Sequence, residues 1–233
     1  MSIVSVRNVK KSYKKKVALN IDRLDIEPGE LVGIVGNNGA GKTTLFRSIL
    51  DLIKPDSGVV FIGEDVVANS NHWKTLLHAF LDESFLIEFL KPQEYFDFIG
   101  KTLGLTKAET KTQISKYPEL HNDDIITSSK LIRELSTGSK VRVGLLATLL
   151  GDPKIILLDE PYAHLDPSSQ AKLSKLIKQL NEKGVTVILS SHNLHNMAQI
   201  CTRIILIESG EVIKDQQTSD KVVQEINAYF EGA

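Results

Sequence analysis

Gly36-Asn37-Asn38-Gly39-Ala40-Gly41-Lys42-Thr43-Thr44 is the stretch that decides the fold of this chain. Leu31-Val32-Gly33-Ile34-Val35 precedes it as a strand, and the run from Leu45 to Ile53 follows as a helix. Strand, glycine-rich loop and helix in that order, with Gly36, Gly41, Lys42 and Thr43 at the P-loop spacing, make a phosphate-binding device. The glycines let successive N–H groups converge on phosphate oxygens, and a side chain at Gly41 is expected to obstruct that approach. The helix start near Lys42 adds unpaired donors and a positive dipole end. Lys42 is placed to neutralise β- and γ-phosphate oxygens, and the Thr43 hydroxyl to hold Mg²⁺. A Gly/Asn surface turn with a stray lysine would not match in type, spacing and context together. The loop is expected to bind a nucleoside triphosphate.

Working outward, 233 residues suit one domain, or one domain carrying a substantial insert. Apolar content of 42% and charged content of 24% exclude a disordered chain. The single cysteine, Cys201, excludes an intrachain disulfide and fits a reducing compartment. A formal charge of −1 supplies no global basic field, so no nucleic-acid partner is expected. Lys10-Lys11 and Lys14-Lys15-Lys16 read as a solvated turn between two strands. No apolar run reaches the roughly 18 residues of a membrane span, and the N-terminus lacks a signal peptide's apolar core. A soluble, cytoplasmic protein is expected, one that reaches a membrane through a partner.

Residues 2–8 and 17–26 alternate as half-buried strands, expected to pair antiparallel, and Tyr13 falls in the lysine-rich turn joining them. Tyr13 either packs on the small sheet or stacks on a nucleobase; its spacing leaves both open. Val59 to Ile62 and Leu76 to Leu81 read as further strands. From about residue 83 the pattern turns helical and aromatic, with Phe85, Phe89, Tyr95, Phe96 and Phe98 close together. Pro92 opens a helix to about Thr102, Thr106 to Glu109 is a capping box, residues 117–130 are polar and turn-rich, and Thr137 to Leu150 is helical. Residues 83–151 are therefore expected to be an all-helical insert in a core made of 1–82 and 152–233.

Ile155–Leu158, Val185–Leu189 and Ile204–Ile207 are short apolar runs separated by helices, one capped by Asp166 with Pro167 behind it. That alternation predicts an α/β fold with a mostly parallel sheet covered on both faces, beside a small N-terminal antiparallel sheet. Ligands bind beyond the carboxyl ends of such strands. Asp159 leaves one of them and is the expected second anchor for Mg²⁺. Glu160, one residue on, points elsewhere and is placed to polarise an attacking water. His192 stands past the 185–189 strand; the spacing leaves it between a surface residue and a contact to the γ-phosphate. Leu135-Ser136-Thr137-Gly138-Ser139-Lys140-Val141-Arg142 alone would be an ordinary helix start with Ser136 as cap.

Together these pieces resemble the nucleotide-binding subunit of an ATP-binding cassette (ABC) transporter, over nearly the whole chain. The glycine-rich loop is similar to that family's Walker A sequence, and Ile155 to Asp159 to its Walker B. Glu160 falls at the catalytic glutamate, His164-Leu165-Asp166 at the D-loop, His192 at the switch histidine and Tyr13 at the adenine-stacking aromatic. Leu135 to Ser139 resembles the signature Leu-Ser-Gly-Gly-Gln, with Arg142 as the basic residue after it. Thr137 stands for the first family glycine and Ser139 for the glutamine, while Ser136 and Gly138 are kept. Aligning Glu94-Tyr95 with the family's insert helix puts Asp82 at the Q-loop position, where glutamine is usual; an aspartate there reaches toward Mg²⁺ or a water.

The resemblance implies an ATPase of two head-to-tail copies, identical or not, with each ATP held between one copy's Walker A and the other's Ser136, Thr137, Gly138 and Ser139. It implies Mg²⁺ on Thr43 and Asp159, a water directed by Glu160 with His192, and release of the dimer on hydrolysis. It further implies a separate membrane permease whose coupling helix docks near Phe85 to Phe98, with the chain peripheral on the inner face of the cell membrane. The insert around Glu94 to Gly100 is more similar to ATPases of exporters than of importers. Two rivals are a soluble ABC-type ATPase acting in translation, DNA repair or regulation, and a module that closes on ATP without useful hydrolysis. The paired cassettes or coiled coils usual for soluble members are absent from this sequence.

Overall fold

A computed structural model of the chain describes residues 2–120, 123–126 and 128–232. Its elements begin with β1 (Val4–Tyr13), β2 (Lys16–Ile26), β3 (Leu31–Val35), α1 (Lys42–Ile49), β4 (Ser57–Ile62), β5 (Asp65–Val66) and β6 (Leu77–Phe80). Then come α2 (Pro92–Thr102), α3 (Lys107–Ser115), α4 (Asp123–Ile126) and α5 (Thr137–Thr148). The chain closes with β7 (Ile155–Leu158), α6 (Pro167–Glu182), β8 (Thr186–Ser191), α7 (Leu194–Ile200), β9 (Arg203–Glu208), β10 (Glu211–Gln217) and α8 (Asp220–Gly232).

The six-stranded sheet runs β10-β9-β3-β8-β7-β6, parallel throughout except at the β10 edge. Both faces are covered, which is why its central strands are apolar without alternation. Leu31, Val35, Ile156, Leu158, Val187, Leu189, Ile204 and Leu206 face the helices of the second half of the chain. Val32, Ile34, Ile155, Leu157, Ile188, Ile205 and Ile207 face α1 and the second sheet. That second sheet is antiparallel and four-stranded, β2-β1-β4-β5, so the expected Val59–Ile62 strand finds its place beside β1. Between β6 and β7 every described regular element is helical, although α5 packs straight onto β6: a Cβ on Gly144 would lie 2.1 Å from the Phe80 ring. Positions 121, 122 and 127 of the turn-rich 117–130 stretch lie outside the described residues.

Two local readings change. The first helix stops at Ile49 rather than Ile53, because Asp51 turns left-handed at φ +53° and the N–H groups of Asp51 and Leu52 fold back to Ser48 O and Arg47 O. Tyr13 is the last residue of β1 rather than part of the turn, paired directly with Lys16 across Lys14-Lys15. A β-bulge follows in the same hairpin: Lys11 pairs with Leu19 but Ser12 with Val17, which leaves Ala18 as the extra residue. Bulges re-aim the backbone. This one turns the Ala18 carbonyl toward the glycine-rich loop, 2.7 Å from where a Gly41 Cβ would stand.

Candidate active site

The loop after β3 is held from behind by backbone. A Cβ on Gly36 would lie 2.2 Å from Ile207 O, and one on Gly41, at φ +113°, would strike Ala18 O and approach Gly210 Cα at 3.1 Å. Gly41 is therefore required first by the protein's own packing, behind the loop, rather than by the approach of a phosphate in front of it. Gly41 also caps α1 without any side-chain bond, so no cap side chain occupies the first N–H groups of that helix.

That concave side opens into a cavity of about 340 Å³ lined by Tyr13, Lys16, Ala18, Asn38, Gly39, Ala40, Gly41, Lys42, Thr43, Thr44 and Glu160. Lys42 is buried, and its Nζ donates to Gly36 O at 2.7 Å and Asn37 O at 3.3 Å. The same ammonium stands 3.4 Å from Glu160 Oε1. The other carboxylate oxygen of Glu160, Oε2, is 3.0 Å from His192 Nδ1. Glu160 holds this position at a left-handed φ of +46°, and its N–H donates to Ser190 Oγ at 2.9 Å.

Asp159 is buried at the end of β7. Its Oδ2 accepts from Thr43 Oγ1 at 2.7 Å, and its Oδ1 accepts a short hydrogen bond from Ser190. Burial pushes its carboxyl pKa up, the Ser190 and Thr43 hydroxyls pull it back, and the Glu160 charge adds to the rise. The Asp159 carboxylate and the Thr43 and Ser190 hydroxyls thus form one cluster of hard oxygen groups behind the cavity, of the donor type that suits a small divalent cation.

Ser190 is the residue that the strand-end reading passed over. A serine closing an apolar strand gives no hint that its hydroxyl will bond both to Asp159 and to the Glu160 N–H. Lys16 and Ala18 were hidden for another reason, since the bulge that brings them to the loop is a matter of register.

The remaining candidates lie apart. Ser136 caps α5, accepting from the Ser139 N–H at 3.3 Å and meeting Ser139 Oγ at 3.0 Å, and both line a different cavity of about 580 Å³. Thr137 is exposed, and Gly138 lies against the His164 carbonyl, 2.9 Å from where its Cβ would be. Arg142 Nε donates to Gly138 O at 3.3 Å. Asp166 caps α6 through the Ser169 N–H at 3.0 Å. Asp82 spends its carboxylate on the Ser84 N–H at 2.8 Å and does not line the loop's cavity.

A phosphate-cradling loop, a buried acidic anchor and a bracketed glutamate at the carboxyl ends of parallel strands define a P-loop nucleoside triphosphatase. Residues 19–163 match the family described as ABC transporter. The linearmycin resistance ATP-binding protein LnrL of Bacillus subtilis is 33% identical over 212 residues, 91% of this chain and 68% of that protein. The lipopolysaccharide export system ATP-binding protein LptB of Haemophilus influenzae is 30% identical over 234 residues, 97% of both. Among solved structures, the dimeric post-hydrolysis state of the ATP-binding cassette MJ0796 bound to ADP and Pi superposes with a TM-score of 0.81 at 28% identity, covering 93% of this chain and 99% of that one. The chain belongs to the ABC transporter family as an ATP-binding, ATP-hydrolysing subunit. No helix among the described residues is long and apolar enough to cross a membrane.

Proposed function

We propose that this subunit energises a separate membrane permease by closing two head-to-tail copies on ATP, with hydrolysis carried by Glu160. The observation that supports this most is the bracketing of one carboxylate: Oε1 beside Lys42 in the loop, Oε2 beside His192 on the neighbouring strand end. Tyr13 stacks on the base, and residues 36–44 and the Lys42 ammonium take the phosphates. Glu160 orients water in line with the γ-phosphorus and accepts its proton as the new P–O bond forms and the bond to the β-phosphate breaks. His192 keeps the carboxylate aimed. Thr43 and Asp159, already in contact through oxygen, fit Mg²⁺; bound there, the ion supplies charge neutralisation for the phosphate oxygens.

Ser136, Thr137, Gly138 and Ser139 of the second copy cap the γ-phosphate, and Asp166 supports the contact between copies. Residues 83–151 act as the signature subdomain. Asp82, whose carboxylate accepts from the Ser84 N–H outside the cavity lining, is left out of this proposed metal site.

The permease segment docks in an apolar groove of about 340 Å³ lined by Leu50, Leu52, Phe80, Phe85, Leu86, Tyr95, Ile99, Leu103 and their neighbours. Phe85 and Tyr95 of the aromatic stretch belong to it. Phe96 is instead core, and Phe89 lies outside it beneath Arg133, 5.3 Å from the ring centroid. Such docking keeps the chain on the inner face of the cell membrane. Glu160→Gln is expected to bind ATP with little change while phosphate release falls about 100-fold or more; turnover near the wild-type rate would remove Glu160 from this role.

A further inference from the structure

Five lysines crowd the β1–β2 hairpin, and the structure separates one of them from the rest. Lys11 is engaged on the far side, donating to Lys54 O at 2.8 Å and standing 3.2 Å from Asp56 Oδ1. Lys10, Lys14 and Lys15 do not line the loop's cavity. Lys16 does, and it pairs with no carboxylate among the described residues.

Register explains the difference. Tyr13 and Lys16 are directly opposed across a two-residue turn, and opposed residues of an antiparallel pair put their side chains on the same face, with Cβ atoms about 5 Å apart. Both residues line the loop's cavity together with Ala18, whose carbonyl lies against Gly41. Tyr13, Lys16, Ala18 and the loop, Lys42 included, therefore line the same cavity. A lysine that pairs with no carboxylate among the described residues thus shares one cavity with the aromatic ring and the phosphate-binding loop.

We propose that Lys16 is a further nucleotide ligand, a cation contacting the α-phosphate of ATP or ADP where the chain of phosphates meets the ribose. The assignment rests on the reading that this cavity takes ATP with its base on Tyr13. Lys42 and the loop serve the β- and γ-phosphates, so Lys16 adds affinity for the nucleotide without distinguishing triphosphate from diphosphate.

The test measures ATP and ADP affinity of the purified full chain by equilibrium titration, for wild type, Lys16→Ala, Lys16→Glu and Lys15→Ala, with thermal melts to confirm folding. Lys16→Ala is expected to weaken ATP and ADP by the same factor, about 3- to 10-fold, and Lys16→Glu to weaken both further. Lys15→Ala is expected to match wild type, its side chain being exposed outside the cavity. Unchanged affinity in Lys16→Ala, an equal loss in Lys15→Ala, or a loss confined to ATP would each overturn the proposal while the nucleotide reading stood. A wild-type protein that bound neither nucleotide would bring down the reading and the proposal together.

Discussion

Two cavities of equal size, each about 340 Å³, divide this molecule. One is lined by loop backbone, Lys42, Thr43 and Glu160, and its side chains hold one another through bonds between charges and hydroxyls. The other lies between β6, α2 and α5 and is lined mostly by carbon, with Lys74, His78, Tyr95 and Thr148 as its polar members. Size alone decides nothing about occupants. The lining of the first suits an anion that is held and cut, and that of the second the apolar permease segment proposed above. In the proposed function, chemistry belongs where the strands end and coupling where the helical insert meets the sheet edge.

The largest effect that sharpens this division belongs to Glu160→Gln, with its loss of turnover of about 100-fold or more and its retained ATP affinity. Next comes Phe85→Asp. Phe85 is half exposed and lines the apolar groove, so the change places a charge where a partner's apolar surface would be desolvated. Recovery of a permease from detergent-solubilised membranes should drop about 10-fold, while the variant's own melt stays near wild type. Undiminished recovery would take the docking role away from this groove.

Smaller effects probe how the groove is built. Gly144→Ala drives a methyl into the Phe80 ring at the groove floor, where Phe80 is buried and has little room to move. Overpacking costs about 1–3 kcal/mol, of which the better helix propensity of alanine returns about 1. Chemical denaturation should show a net loss, and a stabilised variant would mean the insert is looser against β6 than described. His78 gives the smallest and most conditional effect. Burial, the leading cause, lowers its pKa, with the Thr148 and Leu150 backbone working the other way. A lowered histidine keeps its full stability above the unfolded value of about 6.5 and loses it as pH falls toward the folded value. Comparing urea midpoints at about pH 7 and pH 5, wild type should lose more than His78→Leu; equal losses would show that His78 is not buried neutral.

The charged cavity was readable in the sequence because its parts are local. The loop occupies nine consecutive positions, Asp159 and Glu160 come straight after one apolar run, and His192 stands three residues past the end of another. Caps were equally plain: Thr106, Ser136 and Asp166 all bond to the N–H three residues on. The apolar cavity was only half readable. Phe85 and Tyr95 stood out as aromatics, but nothing in their spacing separated them from Phe96, which is core, or Phe89, which is outside. Leu50, His78 and Gly144 reach the groove from three separate elements, and no periodicity brings them together. The same limit hid Ser190 and Lys16. A hydroxyl at a strand end and a lysine in a turn acquire meaning only from the register of strands and from one bulge at Ala18.

The division is tested most directly by taking Glu160→Gln and Phe85→Asp through the same two assays, phosphate release by the purified chain and recovery of a polytopic membrane protein from solubilised membranes. Glu160→Gln should lose release and keep its partner, and Phe85→Asp should keep release and lose its partner. If both variants failed in the same assay and passed in the other, the two cavities would not hold separate functions and the account would be contradicted.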